Sequence, residues 1–168
     1  MSQFFRRSAF GASLAIAAIA GVGFNASQAL ATPPPPPPSA CVPGIFDATV
    51  TRSDSSAGHS HYNVTLTAMD ASAPCTLNGS PAEVVFYRGE APLGVQTEAY
   101  GEARPVVLGP GRPVHFDIQV RNLPGGTPAD RVDFRLPEAD GSLSAVSSAL
   151  GEITVDAGTR VGPVQPGA

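Results

Sequence analysis

Val114-His115-Phe116-Asp117-Ile118-Gln119-Val120-Arg121 is the stretch on which the fold class turns. Val114, Phe116, Ile118 and Val120 alternate with His115, Asp117, Gln119 and Arg121. Strict period-two alternation places the four apolar side chains on one face of an extended strand and the polar ones on the other, the pattern of a half-buried antiparallel strand. His61–Ala68 repeats it, with Tyr62, Val64, Leu66 and Ala68 set against His61, Asn63, Thr65 and Thr67. Six weaker segments follow the same logic: Ile45–Arg52, Glu83–Arg88, Leu93–Glu98, Pro105–Leu108, Arg131–Leu136 and Gly151–Val155. In Glu83–Arg88 both parities are apolar (Val84 and Phe86, Val85 and Tyr87), which predicts a central strand covered on both sides. Asn78-Gly79, Gly109-Pro110-Gly111, Pro124-Gly125-Gly126 and Asp140-Gly141 supply turn chemistry between them. Only Ser142–Leu150 has helical character, and it is short. Seven or eight short strands separated by turns predict an all-β, immunoglobulin-like two-sheet antiparallel sandwich over 41–160. The buried Trp of true immunoglobulin domains is missing, since the chain has no Trp. Phe46, Phe86, Phe116 and Phe134 all fall on apolar strand faces and are assigned to the core.

Toward the N-terminus the pattern changes. Arg6 and Arg7 precede an apolar run from Ala9 to Phe24, and Ala29-Leu30-Ala31 follows. A basic start, an apolar stretch and an A-x-A site are the order of a secretory signal peptide, predicting cleavage after Ala31. The run is shorter than a membrane span and interrupted by Gly. Pro38-Ser39-Ala40 before Cys41 is not a lipobox. Pro33–Pro38 then forms a proline-rich linker within 32–40, and polyproline II at about 3.1 Å per residue gives it about 19 Å of reach. Residues 161–168 are Pro- and Gly-rich and are expected to be a flexible tail. All ten basic residues are Arg, and two lie in the signal, so cleavage leaves eight Arg against fourteen carboxylates, a net charge of −6. An acidic chain without a basic cluster argues against nucleic acid and against anionic membrane surfaces as partners. The expected location is extracytoplasmic, secreted or associated with the cell envelope, with no transmembrane segment once the signal is removed.

Cys41 and Cys75 are the only cysteines. In an exported chain they are expected to form a disulfide, since no C-x-x-C spacing supports a metal site or a reactive thiol. Cys41 precedes the first strand and Cys75 follows the second clear one, so the bond pins the start of the domain to the end of its first hairpin.

Chemistry-bearing residues are few. His59 and His61 are two apart and share a strand face, as do His115 and Asp117. His59, His61 and His115 are thus the candidate ligands for copper or zinc. All lie on polar strand faces or in a turn, where polar residues belong in any case. Gly141-Ser142-Leu143-Ser144-Ala145 approaches a nucleophile-elbow spelling but lacks the final Gly and the strand–turn–helix setting. No Gly-rich phosphate loop follows a strand and opens a helix, and no cofactor is implied. No catalytic residue is assigned, and the chain is not expected to be an enzyme.

Several segments together carry a resemblance. They are Cys41, Tyr62-Asn63-Val64-Thr65-Leu66-Thr67, Pro74-Cys75-Thr76-Leu77-Asn78-Gly79-Ser80-Pro81, and Val107-Leu108-Gly109-Pro110-Gly111 ahead of an alternating strand. Over 41–136 the chain resembles the exported actinobacterial family known as domain of unknown function 4232, most specifically in Cys75–Pro81. The resemblance implies an extracytoplasmic β-sandwich behind a signal peptide and a Pro- or Ser-rich linker, and it implies no activity. Members often carry a further cysteine pair, absent here around Asn122–Ala129. The expected function is a non-catalytic binding module for an envelope or extracellular protein, with metal binding through the surface histidines as the alternative.

Overall fold

A computed structural model describes residues 39–56 and 58–168. The signal-peptide segment 1–31 and Pro33–Pro38 lie outside the described residues. Among these the fold is all-β, without a helix. The strands are β1 (Phe46–Arg52), β2 (His59–Ala68), β3 (Cys75–Leu77), β4 (Ala82–Arg88), β5 (Ala91–Pro92) and β6 (Glu98–Ala99). They continue with β7 (Val106–Leu108), β8 (Val114–Arg121), β9 (Thr127–Arg135), β10 (Ser147–Val155), β11 (Arg160–Val161) and β12 (Gln165–Pro166).

Ten strands make one mixed sheet in the order β5-β4-β9-β10-β1-β2-β8-β11-β6, with β12 also paired to β8. β3 and β7 form a separate two-stranded sheet. The long antiparallel backbone of the fold is β1-β2-β8. β2 pairs with β1 from Arg52↔Tyr62 to Phe46↔Ala68, and with β8 from His59↔Arg121 to Leu66↔Val114. Both registers place apolar residues opposite apolar ones, as in Val50↔Val64↔Phe116. That is what fixes them, because a one-residue slip would turn every buried side chain to solvent. The sheet curls so that its two halves face each other across the core. Phe116 of β8 meets Phe134 of β9 edge-to-face, with ring centroids 5.0 Å apart and planes at 71°. Such a pair adds about 0.5–1.5 kcal/mol beyond its area burial. Phe86, Phe116, Phe134, Leu66, Leu136, Ile118 and Val132 are essentially solvent-free around it.

The two halves join where β1 runs parallel to β10, at the pair Thr49↔Leu150. Immediately beyond, the β9–β10 register shifts between Leu150 and Ile153. Gly151 sits at that irregularity with φ +152, and a Cβ there would lie 2.4 Å from the Val50 carbonyl oxygen. The close passage of β10 over β1 therefore requires glycine.

The disulfide joins Cys41 to Cys75, with Cα atoms 5.4 Å apart and 34 residues of sequence between them. Cys41 is fully buried and Cys75 is 1% exposed. Ser39 bridges to Cys75 as well, so the chain before β1 is laid along β3.

Five expectations differ from the structure. The large sheet is mixed rather than wholly antiparallel, since β1 and β10, and β6 and β11, run parallel. Leu93–Glu98 is not a strand, because 93–97 form the link between β5 and β6. Ser142–Leu150 is not helical: Ser147–Leu150 begins β10, and Ser144 N–H donates to the Leu136 carbonyl at 2.9 Å. Residues 161–168, expected as a flexible tail, dock onto β8 through β11 and β12, with Val161 and Val164 buried in the core. β4 is the penultimate strand on one side of the sheet rather than a central one. Tyr87 on its outer face is covered not by another layer but by the Arg131 guanidinium, 4.0 Å from the ring centroid.

Candidate functional site

Period two sends His61, Asn63, His115, Asp117 and Gln119 to the outer face of β2 and β8, opposite the core. His61 lies across from Gln119 and diagonal to Asp117, whose Cα partner is Asn63. Diagonal neighbours on a sheet face are within reach of long side chains. Here His61 Nδ1 and Asp117 Oδ2 are 2.7 Å apart, with side chains only 18% and 15% exposed. The β1–β2 turn brings a third member. Ser56 and His59 close it by reciprocal backbone hydrogen bonds of 3.0 and 3.1 Å, and Gly58 supplies φ +80 within it. That folds Ser56 back over β2, with its Oγ 2.7 Å from His61 Nε2.

A carboxylate only accepts hydrogen bonds, so Nδ1 is the protonated nitrogen of the neutral His61 ring. In the neutral ring Nε2 is then the lone-pair nitrogen and accepts from the exposed Ser56 hydroxyl, whereas in an imidazolium Nε2 donates to the Ser56 Oγ. Tyr100, just after β6, donates its hydroxyl to the same Asp117 Oδ2. The ring is seated over Gly162, where a Cβ would lie 3.4 Å from it, and its backbone N–H donates to the Val161 carbonyl at 3.0 Å. Burial, then the hydrogen bond to and negative charge of Asp117, hold the Tyr100 phenol well above the usual tyrosine range, against the opposing Arg160 guanidinium. Arg160 stands 5.7 Å from the Tyr100 ring centroid and 3.8 Å from the Glu98 carboxylate. Asp117 Oδ1 is buried and makes no hydrogen bond among the described residues.

The structure brings together only part of what the sequence singles out. His61 enters the Ser56–His61–Asp117–Tyr100 network. His59 starts β2 at the closed turn. His115 lies at the far end of β8, its Nδ1 donating to the Gly167 carbonyl at 3.1 Å. Among the described residues no group of three or more His, Cys, Asp or Glu side chains is placed to hold a metal ion. Sequence reasoning missed Ser56 and Tyr100. The one local signal for Ser56 is the Gly58 turn two residues on. Nothing local ties Tyr100 to Asp117.

A second feature lies at the split between β1 and β10. Past Thr49↔Leu150 the two strands diverge around a groove of about 770 Å³. Val50 and Arg52 of β1, Tyr62 of β2 and Glu152–Thr154 of β10 line one part, with Arg88 and Pro128–Asp130 completing it. The Tyr62 hydroxyl accepts the Thr154 N–H at 3.3 Å at its floor. Asp130 is oriented by the Gly89 N–H, at 2.9 and 3.1 Å from its two oxygens. The groove thus carries two guanidiniums and two carboxylates over an aromatic and aliphatic base.

These features define a disulfide-pinned all-β module with a mixed-charge groove at a sheet split and a histidine–carboxylate network on its outer face. No helix among the described residues is long and apolar enough to cross a membrane. The chain belongs to the family described as Domain of unknown function (DUF4232), whose model matches residues 41–165. The match extends the likeness beyond β9 through β10 and β11 to the first residue of β12. Comparison with curated proteins and with solved structures returns no significant match.

Proposed function

We propose that this chain is an exported, non-catalytic binding module of immunoglobulin-like sandwich type, secreted or held at the cell envelope, that takes a protein partner in the groove between β1 and β10. The observation that carries the reading is the sheet split itself. Val50–Arg52 and Glu152–Thr154 present strand edges to the groove where the two strands part. An extended peptide segment laid there gains main-chain hydrogen bonds, as in strand addition to a sheet edge. Arg52, Arg88, Asp130 and Glu152 select charges on its side chains. Export is supported by the signal-like segment 1–31 and by the buried Cys41–Cys75 disulfide, a bond that persists in oxidising compartments.

A photo-crosslinking amino acid at position 52 tests the reading in the native host, with position 119 on the opposite sheet face as control. A protein adduct captured from position 52 and lost in Arg88→Glu supports it. Equal capture from positions 52 and 119, or none from 52, refutes it.

A further inference from the structure

The outer-face network contains an arrangement that a binding role does not use. Ser56 Oγ, His61 Nε2, His61 Nδ1 and Asp117 Oδ2 form a continuous chain with both hydrogen bonds at 2.7 Å. The order is hydroxyl, imidazole, carboxylate, in which the carboxylate fixes the tautomer that leaves Nε2 basic toward the hydroxyl. Asp117 is itself fixed, since Tyr100 donates to the same oxygen and the Asp117 carbonyl accepts the Gly162 N–H at 2.8 Å. Ser56 is exposed, so an incoming carbonyl reaches its Oγ without rearrangement of the sheet.

We propose that Ser56 is a base-assisted acyl acceptor that takes an acyl group from an activated ester, with His61 receiving its proton and Asp117 positioning the imidazole. Ser56 Oγ bonds to the carbonyl carbon and the carbon–leaving-group bond breaks. The hydroxyl proton passes to His61 Nε2 and from there to the leaving group, which departs as its neutral acid. The substrate class follows from the backbone. In acyl-transfer sites the nucleophile's own N–H commonly helps hold the developing oxyanion. The Ser56 N–H is instead engaged by the His59 carbonyl at 3.0 Å. The reaction therefore depends on a good leaving group, such as a phenol or thiol, rather than an amine. The inference stands on the Ser56–His61–Asp117 geometry alone and does not rest on the groove.

Ser55 beside it provides an internal control, being exposed in the same loop. The purified protein is treated with an alkyl fluorophosphonate and, separately, with p-nitrophenyl acetate, and adducts are mapped by peptide mass spectrometry. Positioned general-base assistance contributes about 10²–10⁴-fold. The expected result is Ser56 modified about 100-fold faster than Ser55, with His61→Gln removing most of the difference and free imidazole restoring part of it in His61→Ala. His61 is on the outer face, and circular dichroism verifies that both variants keep the fold. Equal modification of Ser55 and Ser56, or Ser56 modification unchanged in the folded His61→Gln protein, overturns the proposal. Then the network only fastens the turn to β8.

Discussion

Removing the Cys41–Cys75 bond is the perturbation whose magnitude is best worked from this structure. The bridge closes a 34-residue loop that contains all of β1 and β2. In the chain-entropy model a loop of that size restricts the unfolded chain by about 12.6 cal/mol/K, or about 3.8 kcal/mol at 25 °C. With folding entropy near 2.1 cal/mol/K per residue over about 130 residues, that amounts to a fall in Tm of about 14 °C. In urea, with a slope of about 2 kcal/mol/M, it is a midpoint shift of about 2 M. The native side pulls in the same direction. Both sulfurs are buried, so Cys41→Ala/Cys75→Ala also loses packing, and its cost exceeds that of reduction. Reduction with retained thiols is therefore the cleaner measurement, followed by far-UV circular dichroism because the chain lacks Trp. Burial adds a kinetic expectation: dithiothreitol reduces the native protein only as fast as it opens, so thiol release tracks local unfolding. A urea midpoint that moves by less than about 0.5 M on reduction at unchanged slope would refute the reasoning. It would mean that the Ser39–Cys75 bridge and the Cys41 packing hold the N-terminal segment without the covalent bond.

Three further outcomes are expected. Gly151→Ala destabilises by about 2–3 kcal/mol, because its Cβ meets backbone 2.4 Å away at a left-handed φ; overpacking of this kind outweighs the 0.4–1 kcal/mol an alanine gains in the unfolded chain. Thermal unfolding checks it, and a variant as stable as the parent removes the case for a forced crossing of β10 over β1. The Asp140 carboxyl titrates below the usual aspartate value because the Ser142 hydroxyl and N–H donate to Oδ1 at 2.7 and 2.9 Å. A depressed folded value favours the fold above the unfolded pKa and loses that support as pH falls through it, so Ser142→Ala raises the Asp140 midpoint by NMR and trims acid stability slightly. Copper and zinc titration should give the same weak binding for His61→Ala as for the parent, since both ring nitrogens of His61 are already engaged; a large loss of affinity would instead make His61 a ligand.

What was legible in the sequence is what period two writes. β8 shows one apolar face without interruption, and its bounds and buried residues follow directly; β2 shows the same face through Tyr62, Val64 and Leu66, but begins two residues earlier, at His59, and leaves Ala68 half-buried. The four core phenylalanines and the disulfide are equally direct, the latter from the cysteine count and the signal-like sequence of segment 1–31. β10 is harder although its buried face keeps period two through Ser147, Ala149, Ile153 and Val155, because Ser147 and Gly151 put non-apolar residues on that face and Leu150 stands exposed on the other. β11 and β12 are two residues each, too short to carry any period, and only docking onto β8 makes them strands. Pro and Gly around them read as disorder, whereas Val161 and Val164 fill the core. The Ser56–His61–Asp117–Tyr100 network needs two facts no local pattern encodes: the diagonal register of β2 on β8, and the β11–β6 pairing that delivers Tyr100.

The free end of the β1–β2 hairpin serves both candidate surfaces, and alternation keeps them apart. Tyr62 points inward to the groove floor and bonds the Thr154 N–H. His61, one residue earlier, points outward to Asp117 and Ser56. The two sites therefore share a strand but no side chain. Substitutions at separated positions without shared partners add to within about 0.3–0.5 kcal/mol. Arg88 lies across the groove on β4, away from the outer-face network. Arg88→Glu and His61→Gln should then combine additively in stability, each leaving the other's readout, groove crosslinking or Ser56 acylation, unchanged. Coupling above about 1 kcal/mol, or Ser56 reactivity altered by Arg88→Glu, would show that the hairpin end moves as one body between the two faces. In that case a ligand in the groove would also control the serine.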